Sequence, residues 1–287
     1  MLWGILPVYF LILAPAGAIE IVAWRILFSL VFCAILLTAT RRWPSVVAVI
    51  RDRRTMLGLG LAALLIIVNW QVYVFATLNG QVNEAALGYF INPILTVLLG
   101  VIVLRERLRV AQWIAVGVSV VAVLVLAINY GAFPWVSLTL ALSFGLYGLI
   151  KKRVGPRVDA VTGLTIETAW LIPVAIAQLV FVGATSGVVL GTAGIVNTSL
   201  LLLTGVVTAV PLIRFASAAR RLPLVYLGLI QYLAPVLQFL FGTFVMLEAM
   251  PPERWVGFAL VWVALIVLSI DMLTNARSVR RASPLPG

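Results

Sequence analysis

The sequence predicts an all-α polytopic membrane protein: ten transmembrane helices in two inverted five-helix repeats, with both termini cytoplasmic. Composition, self-similarity and the placement of basic residues carry this reading. Of the 287 residues 63% are hydrophobic and only 10% charged, with a mean hydropathy of +1.18, whereas soluble domains carry roughly 25% charged residues. Pro93, Gly100, Glu106 and Trp113 recur as Pro235, Gly242, Glu248 and Trp255, each 142 positions on, so the chain reads as one unit written twice. Basic residues cluster in alternate loops, which orients a short-looped membrane protein.

Ten apolar windows follow, near 2–14, 19–39, 56–78, 84–104, 111–128, 133–150, 160–182, 196–217, 224–246 and 254–274. A bilayer core of about 30 Å needs about 20 apolar residues in a helix. The first window is short: at 1.5 Å per residue Leu2–Leu13 covers only about 18 Å. Either this helix tilts into protein or the true start lies upstream of Met1, and the second is favoured. The windows group as a first repeat over 1–128, a second over 133–274 and a cytoplasmic tail over 275–287.

With the N-terminus inside, the inner loops hold Arg41, Arg42, Arg51, Arg53 and Arg54, then Arg105, Arg107 and Arg109. Later inner loops add Lys151, Lys152, Arg153, Arg157, Arg220 and Arg221, and the tail adds Arg277, Arg280 and Arg281. The remaining basic residues are Arg254 in an outer loop and Arg25 and Arg214 inside spans. The formal charge of +11 is thus explained by topology and anionic inner-leaflet lipid, not by nucleic acid. Five helices is an odd number, so the second repeat enters the membrane from the opposite side. The loop charges agree: 40–55 is basic and its counterpart 183–195 is not, while 79–83 carries none and its counterpart carries Arg220 and Arg221. Inverted repeats are a transporter architecture, with substrate handled near the midplane between halves. There is no histidine, and Cys33 is the one cysteine, which excludes a disulfide framework and a Cys/His zinc site. No metal and no cofactor are expected.

Several stretches carry a family resemblance. They are Trp3-Gly4-Ile5-Leu6-Pro7-Val8-Tyr9, Arg25, Asn69-Trp70, Leu87-Gly88-Tyr89-Phe90-Ile91-Asn92-Pro93 and Arg105-Glu106-Arg107, with Ile166 to Pro173 and Gln231-Tyr232-Leu233-Ala234-Pro235 in the second half. Together they resemble the RarD branch of the EamA transporters, in the drug/metabolite transporter superfamily, over essentially the whole chain. The resemblance implies ten helices in two inverted units, a bacterial inner-membrane location and secondary transport. The RarD name carries a chloramphenicol association. The family also has a longer first helix and a short tail before the Trp-Gly motif, which this sequence lacks.

Ionisable residues inside a membrane cost about 2.5–3.5 kcal/mol each on insertion scales, so each demands a reason. Three lie well inside spans: Arg25, Glu167 and Arg214. The repeat pairs Arg25 with Glu167, but their depths differ by about 10 Å at 1.5 Å per residue. Glu167 and Arg214 are closer in depth and are expected to pair. Glu167 reads as a proton-coupling carboxylate or a fixed ion pair. Arg25 reads as a contact for an anionic substrate group, or as a side chain snorkelling toward Glu20. Asp271 reads as interfacial.

Polar stripes form a second set. Asn69 and Tyr73 share a face with Trp70 and Gln71 flanking. Tyr89, Asn92 and Thr96 share another, and Gln231, Tyr232 and Gln238 lie around Pro235. Each stripe suits packing between helices, and together they suit a substrate site with apolar walls and few polar anchors. Pro93 and Pro235, equivalent in the two repeats, are the hinge candidates. Gly88, Gly100, Gly228 and Gly242 suit close helix contact.

The function expected is a secondary transporter, a permease or exporter, moving a small organic metabolite or drug-like molecule by alternating access, with proton coupling through Glu167 as an option. Its partners are that substrate and membrane lipid. The rivals are an intramembrane enzyme on lipid-linked substrates, which would lack a histidine base and a GxSxG elbow, and a non-transporting scaffold subunit. No GxxxxGK[ST] motif appears, so ATP drive is not intrinsic.

Overall fold

The computed structural model describes residues 2–104, 109–129, 133–219 and 233–282. Its helices are α1 (Leu2–Ile12), α2 (Ala18–Ala39), α3 (Trp43–Arg51), α4 (Arg53–Leu78), α5 (Val82–Leu104) and α6 (Val110–Asn129). Then come α7 (Trp135–Val154), α8 (Ala160–Trp170), α9 (Ile172–Thr185), α10 (Gly194–Ala219), α11 (Leu233–Leu240) with a π-helical turn Phe241–Val245, and α12 (Pro252–Ala282). No strand occurs among the described residues. By length and composition α2, α4, α10 and α12 can each cross a membrane, and α8–α9 can do so as one bent span.

Local chemistry sets the helix ends. Asp52 caps α4, accepting from the amides of Arg54 (3.1 Å) and Thr55 (3.3 Å). Asp159 caps α8, accepting from Val161 and Thr162, both at 3.1 Å. A carboxylate at such a position satisfies amides that have no partner inside the helix. Because Asp52 caps at that point, α4 begins three residues before the expected 56. The loop 40–55 is also more ordered than its charge suggested: Pro44 sits in the first turn of α3, where its missing N–H costs nothing, and Val46 and Val49 bury one face. The window 160–182 is two helices meeting at 46°. Pro173 lies in the first turn of α9 and has no N–H to continue the ladder, which breaks the helix at Leu171. At the C-terminal end α12 runs on to Ala282, so much of the stretch expected as a tail continues the last helix.

Among the described residues, three larger apolar clusters and a small one around Cys33, Leu164 and Ala209 hold the bundle. In the first, α1, α2, α4, α7 and α10 contribute Phe10, Ile26, Ile66, Trp70, Leu140 and Leu201. In the second, α5, α6, α11 and α12 enclose Phe90, Phe239, Phe258 and Leu268. The third gathers Leu37, Val46, Val49, Leu59, Val158 and Ile166 near the α4 and α8 caps. Large apolar side chains also face outward along the bundle, Ile35, Leu57, Leu64, Val180, Leu202 and Ile266 among them. An apolar exterior of this extent is a surface made for lipid.

Several close approaches depend on glycine. A Cβ on Gly205 of α10 would fall on the backbone of Phe28 in α2, and one on Gly88 of α5 would lie 2.6 Å from the Ser137 carbonyl of α7. The second contact is reinforced by Ser137 Oγ, which donates to the Glu84 carbonyl at 2.6 Å. Gly88 and Gly242 thus act as expected, Gly242 against Asn83, while Gly228 lies outside the described residues.

Gly205→Val is expected to lower the melting temperature in detergent sharply, since overpacking a tight contact costs about 1–3 kcal/mol or more. Gly117→Ala, where a Cβ meets nothing within 4 Å, is the control and leaves the transition unchanged or slightly raised. Equal melting of the two variants would show that α2 and α10 do not depend on this contact.

Candidate functional site

Arg25 lies about a third of the way along α2 and is 3% exposed. Its guanidinium sits 4.9 Å from the Phe10 ring centroid and 4.8 Å from that of Trp70, held between α1 and α4. Its Nε donates to Thr208 Oγ1 of α10 at 3.0 Å, and Nη1 has no hydrogen-bond partner. Tyr73 packs edge-on to Phe10 and to Tyr89, with centroids 5.9 and 5.6 Å apart. The Tyr89 hydroxyl donates to Asn69 Oδ1 at 3.0 Å. The Asn69 amide in turn donates to the Leu140 carbonyl and to Ser143 Oγ on α7. The buried Tyr73 hydroxyl and Gln238 Oε1 each lack a hydrogen-bond partner. Gln238 is fixed by its Nε2, which donates to the Trp3 carbonyl at 3.0 Å.

Five of the sequence candidates therefore meet: Arg25, Asn69, Trp70, Tyr73 and Tyr89 form one buried cage. Asn92 is half-buried one turn beyond Tyr89. Gln231 and Tyr232 lie outside the described residues. Pro235 is buried in the first turn of α11, and α5 runs through Pro93 as one helix. Phe10 and Thr208 did not stand out in the sequence. Thr208 had a readable signal, since Thr204 and Thr208 are four apart in the otherwise apolar run 200–212.

The expected Glu167–Arg214 pair and the reading of Arg25 as snorkelling toward Glu20 are both corrected. Glu167, 1% exposed, pairs with Lys151 Nζ at 2.7 Å and accepts from the Tyr147 hydroxyl at 3.1 Å. Arg214 is exposed and is not its partner. Lys151 sits in the last turn of α7, four residues after Tyr147, so its long stem reaches from the helix end into the bundle. Arg25 does not snorkel toward Glu20 either. The Glu20 carboxylate is taken by Trp24 Nε1 (3.1 Å) and by the amides of Val189 (2.8 Å) and Leu190 (3.2 Å). Asp271 pairs with Arg109 at 2.8 Å.

The ends of the bundle are tied differently. At one end Arg42 faces Asp159 at 3.9 Å and Arg157 faces Asp52 at 3.8 Å. There Arg54, Arg153 and Arg157 also border a cleft of about 460 Å³ between α4 and α7. The Thr55 hydroxyl and amide hold the Asp52 carboxyl below its usual range. Burial works to raise Asp159, but the Thr162 hydroxyl and amide, with Arg42, outweigh it and leave it lowered. Both caps are therefore complete above the ordinary carboxylate range and are lost as pH falls through the lowered values. At the other end Arg254 pairs with Glu84 at 3.0 Å, and Glu248 accepts from the amides of Val82 and Asn83.

An apolar, lipid-facing helical bundle that encloses a buried cation with aromatic walls defines a polytopic membrane protein with an occluded polar site. Residues 1–128 match the EamA-like transporter family. Over 97% of its length the chain is 48% identical to Protein RarD of Streptomyces exfoliatus, covering 88% of that protein. It is 40% identical to an uncharacterized transporter of Vibrio cholerae, across 98% of this chain and 92% of that one. A solved crystal structure aligns over 94% of both chains with a TM-score of 0.63 at 18% identity, a likeness of fold. The chain belongs to the EamA-like transporter family, in its RarD branch. By family it is a membrane transporter.

Lys151→Leu is expected to lower the melting temperature by several degrees, because it strands the Glu167 carboxylate in the bundle. Adding Glu167→Gln should restore part of the loss. A double variant no more stable than Lys151→Leu would show that Lys151 is not what offsets the buried charge.

Proposed function

We propose that this chain moves a small organic molecule across the bacterial inner membrane by alternating access, with the cargo held in the cage around Arg25. The carrying observation is the cage itself: a buried guanidinium with one uncommitted donor, walled by Phe10, Trp70, Tyr73 and Tyr89. In a bilayer such a group is retained for function, since its burial is costly. The site is drawn from both parts of the chain, with Arg25, Asn69 and Tyr89 from the first and Thr208 and Gln238 from the second.

Ten helices in two inverted units over 1–128 and 133–274, with cytoplasmic termini, is the topology this reading uses. The recurrence at 142 positions and the basic inner loops support it. Arg25, Asn69, Trp70 and Tyr73 are closed to solvent in this conformation, so cargo reaches them only when one end parts. The Arg42–Asp159 and Arg157–Asp52 pairs are candidates for the cytoplasmic closure, because exposed pairs contribute only about 0–1 kcal/mol and part readily. The Glu20, Glu84 and Glu248 ties are candidates for the outer one. The bend at Leu171 joins Pro93 and Pro235 as a place where a helix can flex. Coupling to protons would use Glu167: protonating it breaks the pair with Lys151 and frees α7 from α8.

Flux in proteoliposomes tests the reading. Preloaded vesicles holding wild-type protein should exchange labelled metabolites from a bacterial extract at a rate that Arg25→Gln reduces at least about tenfold, the scale of one lost charge-assisted contact. An imposed pH gradient should alter the wild-type rate and leave Glu167→Gln indifferent. Flux unchanged by Arg25→Gln would remove the cage as the cargo site.

A further inference from the structure

We propose that the cargo is a singly charged organic anion, a monocarboxylate with a flat apolar body, and this rests on the cage being the cargo site. The argument is an inventory of charge. The chain has nine acidic residues, and none of those described lies within ion-pair distance of Arg25. Asp52 and Asp159 cap helices and face Arg157 and Arg42. Glu84 is held by Arg254, Glu167 by Lys151 and Asp271 by Arg109. Glu20 and Glu248 are spent on backbone amides. Glu253 stands in the first turn of α12, half-buried. Glu106 lies outside the described residues, in sequence between Arg105 and Arg107.

A fully buried cation with no carboxylate of its own is a site built for a visiting anion. Two ring faces and the Thr208 hydroxyl soften the cost of burying Arg25 without neutralising its charge. Nη1 remains to be used, and a carboxylate is the group that a guanidinium receives best.

The same inventory limits the rest of the cargo. An ammonium group would enter beside Arg25 with no carboxylate to receive it, so cations and amino-acid zwitterions are disfavoured by repulsion as well as by the missing partner. A doubly charged phosphate would carry one charge too many, since Lys151, which reaches from the end of α7 into the bundle, is committed to Glu167 and Arg214 is exposed. The walls, Phe10, Trp70, Tyr73 and Tyr89, suit an apolar and preferably planar body.

Four probes with one phenyl body and different charge decide the matter: phenylacetate, phenylacetamide, phenethylamine and phenylalanine. The readout is the melting temperature of purified full-length protein in detergent, titrated with each. Phenylacetate is expected to stabilise the wild type at concentrations at least about tenfold lower than the other three, as one hydrogen-bonded charge requires. Arg25→Gln should abolish that preference and Arg25→Lys should keep part of it. Because the wild-type ranking needs no variant, the test survives a variant that fails to fold. Phenylacetamide, phenethylamine or phenylalanine matching phenylacetate overturns the proposal, and so does silence from all four.

The vesicle assay separates this failure from failure of the transport reading. Arg25-dependent flux of phenylacetamide or phenethylamine leaves the cage as cargo site and sinks the anion. Arg25-dependent binding of phenylacetate to protein that carries no flux of any of the four sustains the anion and sinks transport.

Discussion

The guanidinium of Arg25 is the group around which the rest of the bundle is arranged. Placing a charge at that depth is opposed by about 2.5–3.5 kcal/mol on insertion scales. What offsets it comes from three other helices: Phe10 on α1, Trp70 on α4 and Thr208 on α10. Each cation–π contact contributes about 0.5–2 kcal/mol when desolvated. The charge therefore fixes the mutual positions of α1, α2, α4 and α10. The close approach of α2 and α10 at Gly205 follows the same geometry, three residues before Thr208 on the same helix.

Glu167 shows the alternative treatment of a buried charge. Its partners are complete, with Lys151 and Tyr147 both bonded to it. Arg25 and Glu167 occupy corresponding positions in the two halves, yet only one is finished by the protein itself. That asymmetry separates a guanidinium whose Nη1 has no partner from a carboxylate closed by its neighbours. The ends of the bundle differ in the same spirit, with exposed Arg–Asp pairs at one and carboxylates held by backbone amides at the other.

How much of this was legible depends on whether the signal was local. Helix type and position follow from unbroken apolar windows, and most were placed to within a few residues. The errors sit where a local cap overrides hydropathy. Asp52 starts α4 early, Pro44 lets a basic loop form α3, and α12 continues past its last apolar turn. The break fell beside Pro173, whereas the hinges expected were Pro93 and Pro235, and α5 runs through Pro93 as one helix. The cage was half legible: Asn69 and Tyr73 share a helix face, and a charge in an apolar window announces itself. Phe10 gave no sign, being one aromatic in a helix of apolar residues.

By itself the sequence determined that the chain is a helical membrane protein and that Arg25 and Glu167 need reasons to be buried. These follow from composition and period, which local chemistry fixes. Only the tertiary structure decided which partner each charge has. Depth along a helix axis suggested Arg214 for Glu167, but depth says nothing about rotation or about the reach of a lysine from a neighbouring helix end. Partnership is a matter of three coordinates, and the sequence supplies one.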